Sequence, residues 1–122
     1  MRIFKTKPFA RFARKERIED MVLREAISRA ELGLVDAELG GGVIKQRIAR
    51  QGRGRSGGYR TIIAIRRGSR SVFLYGFSKS ARGNIEDDEL GSLKEAASFW
   101  LSADETQIER EVLLGNLLEI EP

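Results

Sequence analysis

Apolar residues recur every three or four positions over the first third of this chain, every second position through its middle, and every three or four again near its end. That order of periods predicts helices, then strands, then helices. Before the first helix, Arg2-Ile3-Phe4 reads as a short strand. Pro8, suited to a first helical turn, and the spacing Phe9, Phe12, Ala13 predict a brief helix. Over residues 19–32, Val22, Leu23, Ala26, Ile27 and Ala30 form one stripe, and Gly33 suits the C-terminal cap.

Past Gly40-Gly41-Gly42 the period falls to two. In residues 43–49, Ile44 and Ile48 share one face and Lys45 and Arg47 the other, so isoleucines pointing inward leave two cations side by side outside. Residues 59–66 are rich in β-branched side chains and 71–77 in aromatic and aliphatic ones, and both read as strands. Arg67-Gly68-Ser69-Arg70 forms the hairpin turn between them, with Gly68 able to take a positive φ. Strict alternation along the second strand puts Phe73, Tyr75, Phe77 and Lys79 on one face.

Helical spacing returns at residue 84, with Leu90, Leu93, Ala97, Trp100 and Leu101 on one face. Glu86, Asp87, Asp88 and Glu89 occupy the first turn, where carboxylates suit the helix dipole, and Trp100 reads as a core anchor. Ser102 with Glu105 makes a capping-box signature for a last short helix that stops at Gly115-Asn116. The expected fold class is α+β: a small, twisted, mostly antiparallel sheet packed by two N-terminal helices, with a C-terminal helical segment.

Charge changes the picture most. Residues 39–85 contain neither Asp nor Glu, yet hold Lys45, Arg47, Arg50, Arg53, Arg55, Arg60, Arg66, Arg67, Arg70, Lys79 and Arg82. Residues 1–82 carry 20 Lys+Arg against 7 Asp+Glu, and residues 83–122 carry 2 against 11, so the two parts stand at +13 and −9 behind a net +4. A one-sign stretch of this kind is built to meet a polyanion, and such binding weakens steeply with salt.

At 122 residues the chain is expected to form one domain, large enough to bury about two-thirds of its unfolded surface. No run of apolar residues is long enough to span a membrane, and the basic N-terminus lacks the apolar core of a signal peptide, so a soluble, cytoplasmic protein is expected. Cysteine and histidine are both absent, which removes disulfides, the commonest general acid/base and the usual zinc ligands. No metal or cofactor is expected, and chemistry falls to Arg, Lys, Tyr, Glu, Asp or Ser.

Gly52, Gly54 and Gly57 match the spacing of a dinucleotide fingerprint, but that motif needs a strand before it and a helix after it, and here strands flank it on both sides. A Walker A loop also fails, because no Lys-Ser/Thr pair follows Gly57. The segment reads instead as a tongue whose Arg53 and Arg55 follow a phosphate backbone, with Gly57-Gly58 allowing close approach. Arg60, at the start of a strand, has its planar fork held by the sheet and aimed at one phosphate. Tyr59, Phe73, Tyr75 and Phe77 interleave the cations and serve either base stacking or core packing.

The segments IKQRIA, GRGRSGGYRTIIAIRRG and FLYGFSKSARGNI, in this order and spacing, resemble the HigB-like branch of the RelE/ParE toxin superfamily of bacterial type II toxin–antitoxin systems. FKTKPFARFARKERI extends the similarity over nearly the whole chain to about Leu93. The resemblance implies two N-terminal helices on a twisted, mostly antiparallel sheet, in agreement with the reading above. It also implies cleavage of mRNA in the ribosomal decoding site by Lys and Arg, sometimes with a Tyr or His, in place of a metal. There the 2′-hydroxyl attacks the adjacent phosphate, and cations stabilise the charge that builds on its oxygens.

By this resemblance Lys45 and Arg47 match the family's basic pair, Arg60 its strand arginine, and Lys79 and Arg82 the basic residues closing the last strand. Arg60 is assigned to phosphate stabilisation, and Lys45 or Lys79 to proton transfer or leaving-group stabilisation. Arg50, Arg53, Arg55, Tyr59 and Tyr75 are expected to contact RNA. Ala81 stands where relatives often have Glu, and Glu86 lies near a position where some carry a functional Tyr, so the general base is unassigned and Tyr75 is a weak substitute. Implied partners are a cognate antitoxin of helix-turn-helix type, the ribosome and mRNA. ParE-type members act on DNA gyrase instead, so a non-catalytic toxin of that type, or a plain RNA-binding module, is the alternative expectation.

Overall fold

The computed structural model describes residues 1–50 and 54–121, with only the backbone of Arg55 and Ser56. Its elements are β1 (Arg2–Thr6), α1 (Lys7–Lys15), α2 (Asp20–Glu31), β2 (Ala37–Gly40), β3 (Val43–Arg50), β4 (Gly54–Arg66), β5 (Arg70–Ser78), α3 (Asp87–Ser102), α4 (Glu105–Leu113) and β6 (Leu117–Ile120). The strands form one sheet in the order β2-β3-β4-β5-β1-β6. Only β1 and β5 pair in parallel; the other neighbours are antiparallel, which gives the expected α+β class. Among the described residues no helix is long and apolar enough to cross a membrane.

Local sequence explains the helix ends. Thr6 caps α1 by accepting the Phe9 N–H, and Pro8 occupies the first turn. α2 ends in a Schellman motif: the Gly33 and Leu34 N–H groups donate to Ala30 and Arg29, and Gly33 takes φ +82°. Gly115, at φ +80°, ends α4 in the same way.

Each face of the sheet carries its own apolar cluster. α1 and α2 bury Phe9, Leu23, Ala26 and Ile27 against Ile44, Ile48, Ile63 and Phe73. On the opposite face, Ala97 of α3 and Ile108 of α4 pack on Val43, Ile62, Ala64, Val72 and Leu74. Gly76 belongs to the first interface: a Cβ there would lie 2.5 Å from the Phe12 ring, so the missing side chain seats α1 on β5.

Three expectations need correction. Ile62 pairs with Tyr75 but Ile63 with Phe73, so Leu74 is an extra residue in β5. This β-bulge breaks the period of two: Phe73 turns towards α1 and α2, and Tyr75 and Phe77 do not share its face. The capping box of α4 is Asp104 with Gln107, while Ser102 is the last residue of α3 and bonds back to the Ser98 carbonyl. Finally, two four-residue strands, β2 and β6, were not expected from the sequence pattern; they extend the sheet at its two edges.

The acidic C-terminal segment is tied to the basic sheet by arginines. Arg70, 5% exposed, donates to the Trp100 and Ala103 carbonyls at 2.7 and 2.8 Å and pairs with Glu105 at 2.9 Å. Arg66 bonds the Leu101 carbonyl, and Arg2 holds Glu105, Glu109 and Glu119 within 2.7–2.8 Å. Arg67 pairs with Glu38 on β2. These arginines are therefore occupied in joining elements.

Candidate active site

Three central strands bring the remaining cations together. Arg47 on β3 stands directly opposite Arg60 on β4, and Arg60 stands opposite Phe77 on β5. In a neighbouring row Lys45 faces Ile62, and Ile62 faces Tyr75. Since Ile44 and Ile48 point to the α1 and α2 layer, alternation puts Lys45 and Arg47 on the other face, with Arg60, Tyr75 and Phe77. Like charges directly opposite across two strands repel, and Asp36 offsets that repulsion at Arg47.

Each cation has distinct surroundings. Arg60 is only 9% exposed. Arg47 pairs with Asp36, its guanidinium at 3.1 Å and its backbone N–H donating to the same carboxylate at 2.6 Å. Burial pushes the Asp36 carboxyl up, but the backbone and side chain of Arg47, with Arg29, outweigh it and leave the group below its ordinary value. Among the described residues Lys45 and Lys79 make no ion pair. Lys79 is exposed just beyond β5, and its backbone N–H donates to the Gly58 carbonyl at the start of the Tyr59-Arg60 segment.

Arg82 joins this surface from the turn after β5. Its guanidinium lies 5.6 Å from the centre of the Phe77 ring and donates to the Tyr75 hydroxyl at 3.3 Å. Glu89, in the first turn of α3, accepts from both terminal nitrogens at 2.9 and 2.5 Å. The Arg82 hydrogen bonds, followed by the Glu86 backbone N–H, hold the Glu89 carboxyl down at about 2. Arg82 is correspondingly raised, by Glu89 first and Tyr75 second. The Tyr75 and Phe77 rings lie 5.9 Å apart beneath it. Lys45, Arg47, Arg60 and Arg82 beside the Tyr75 ring suit binding of a phosphodiester strand and stabilisation of charge on its phosphate.

The expected RNA contacts do not all meet here. Tyr59 is 4% exposed on the α1 and α2 side, where its hydroxyl donates to Glu16 and its ring packs edge-on to Phe12. Arg50 lies 5.4 Å from that ring, on the same side. Both line a cleft of about 800 Å³ with Lys15, Arg17, Ile18 and Gly54. Arg53 and the Arg55 side chain lie outside the described residues. The close approach expected at Gly58 is filled by its own hairpin: a Cβ would lie 2.2 Å from the Ile48 carbonyl oxygen.

Sequence reasoning missed Asp36 and Glu89 as partners of the site. Asp36 lies in the bend before β2, which the sequence pattern did not mark, and Glu89 carried only a helix-dipole signal.

No curated protein matches the chain. The family model described as the RelE toxin of the RelE/RelB toxin–antitoxin system matches residues 1–120. A cognate antitoxin is thereby implied as a partner. With a basic face on an α+β scaffold and a match over almost its full length, this chain belongs to the RelE toxin family.

Proposed function

We propose that this toxin is a HigB-like, ribosome-dependent mRNA endoribonuclease that represses translation and is held inactive by an antitoxin covering its basic face. The observation that carries the reading is the convergence of Lys45, Arg47, Arg60, Tyr75 and Arg82 on one sheet face. In the proposed reaction the mRNA 2′-oxygen bonds to the adjacent phosphorus, the bond to the 5′-oxygen breaks, and a proton passes from the 2′-hydroxyl to a base while another reaches the leaving oxygen. Arg60, fixed by the sheet and flanked by a second arginine, stabilises the charge on the phosphate oxygens. Lys45 or Lys79, without carboxylate partners among the described residues, moves the proton at the leaving oxygen. Arg82 adds positive charge beside the strand, and the partly exposed Tyr75 ring carries a base.

Purified toxin is expected to cut mRNA only on translating ribosomes. Intact transcripts and normal growth on induction would overturn the reading, and DNA damage without loss of mRNA would point to a gyrase-directed toxin instead.

A further inference from the structure

Arg47 is held more firmly than its place at the surface requires. β2 pairs with β3 only through Val43, Ile44 and Lys45, so the outward backbone groups of Arg47 have no strand beside them. Side chains take that place: Asp36 Oδ2 accepts the Arg47 N–H at 2.6 Å, and Arg29 donates to the Arg47 carbonyl at 2.7 Å. Those two bonds complete the edge of the strand. The second carboxylate oxygen acts on the side chain. Asp36 Oδ1 lies 3.1 Å from both Nε and Nη2 of Arg47, along one side of the guanidinium. Among the described residues nothing bonds Nη1. The Arg47 side chain is 44% exposed, and an ion pair so open to water adds little to stability.

Asp36 is itself fixed by the helix layer. Its N–H donates to Gln46 Oε1 at 2.9 Å. Gln46 is fully buried, and its amide nitrogen donates to the carbonyls of Ala26 in α2 and of Leu34 beyond it, at 2.9 and 3.2 Å. Arg29, on the same helix, pairs with Glu25 at 2.9 Å and brings Nη1 to 3.9 Å from the Asp36 carboxylate. A shift of the bend that carries Asp36 would strand the bonds of a buried amide, so Asp36 is anchored before it meets Arg47. Arg47 in turn stands opposite Arg60 on β4.

We propose that Asp36 is a positioning residue: it holds the Arg47 guanidinium by one side so that Nη1 meets the phosphate oxygens that Arg60 also contacts. The role rests on the ribonuclease reading; the hold on Arg47 does not. Asp36→Asn keeps an oxygen for the Arg47 N–H but replaces the charged hold on the guanidinium with a neutral amide. Its kcat on translating ribosomes is expected to fall roughly tenfold, while KM falls too, because a negative charge beside the strand is gone. In an Arg47→Ala background the same substitution is expected to change kcat by less than about twofold, since Asp36 then has no guanidinium to aim. On the toxin alone, the Arg47 Nε–H followed by NMR is expected to exchange with water roughly tenfold faster in Asp36→Asn, for want of one charge-assisted hydrogen bond. Should Asp36→Asn fail to fold, Asp36→Glu replaces it: the charge stays, the carboxylate is displaced, and the same loss of kcat is expected without the fall in KM. Equal losses of kcat in the wild-type and Arg47→Ala backgrounds, or an unchanged Nε–H exchange rate, overturn the proposal. Uncut mRNA with wild-type toxin sinks the nuclease reading alone, and the Nε–H exchange rate still decides whether Asp36 holds Arg47.

Discussion

Glu89 grips both terminal nitrogens of Arg82 while its Oε1 also accepts the Glu86 N–H at 2.8 Å, so one carboxylate both caps α3 and aims an arginine at the sheet. The two roles are separable. In α4 the equivalent capping position is Gln107, whose amide oxygen accepts the Asp104 N–H at 2.8 Å. Glu89→Gln is therefore expected to keep the cap and to lower the melting temperature less than Glu89→Ala does, while releasing Arg82, with cleavage falling roughly 10- to 100-fold as the arginine loses its orientation. Cleavage rates and thermal melts of the purified variant check this; a melt lowered as far as that of Glu89→Ala would contradict it.

Arg60→Lys keeps the charge at the centre of the site but loses the planar fork. Both Arg60→Lys and Arg60→Ala are expected to lower cleavage on translating ribosomes by roughly 10²- to 10³-fold. Primer extension on a reporter mRNA measures the loss, and unchanged circular dichroism assigns it to chemistry.

Arg70→Met keeps the apolar stem but leaves the Trp100 and Ala103 carbonyls without their donor. Unfolding in urea is expected to show a loss of about 3 kcal/mol. Toxicity should then fall through stability, and recover at lower temperature.

Acid should weaken the fold over a defined range. Glu89, Glu105 and Glu119 are depressed chiefly by their arginine hydrogen bonds, and Asp36 is depressed by Arg47 against the pull of burial. With folded values below unfolded ones, the unfolded chain takes up more protons as pH falls, so the stabilisation is complete above about 4.5 and is lost towards about 2, where Glu89 titrates. The chain has no histidine, so urea midpoints should show no step between about pH 5 and 8. A midpoint that drops near pH 6 would contradict this assignment.

Much of this architecture was legible in local pattern. The alternation of Ile44 and Ile48 with Lys45 and Arg47 predicted both the strand and the side on which its cations stand. Gly33 and Gly68 marked a helix end and a turn correctly. The bulge at Leu74 carries no composition signal, so the facing of Tyr75 and Phe77 depended on pairing with β4. Ser102 and Asp104 both head acceptable caps, and α3 ends where Arg70 draws in the Trp100 and Ala103 carbonyls. β2 and β6, four residues each, are too short to show a period and form because longer strands supply their partners. The division of Tyr59 from Arg60 follows from their adjacency on one strand, since successive side chains project to opposite sides.

β1 lies between β5 and β6, so residues made first acquire both hydrogen-bonding neighbours only after residues 70–73 and 117–120 have been synthesised. Arg2 waits as long for its carboxylates, Glu119 being 117 positions away. During translation the leading strand therefore stays unpaired, and contacts so distant in sequence close slowly, so the sheet is completed only after the last strand has been made.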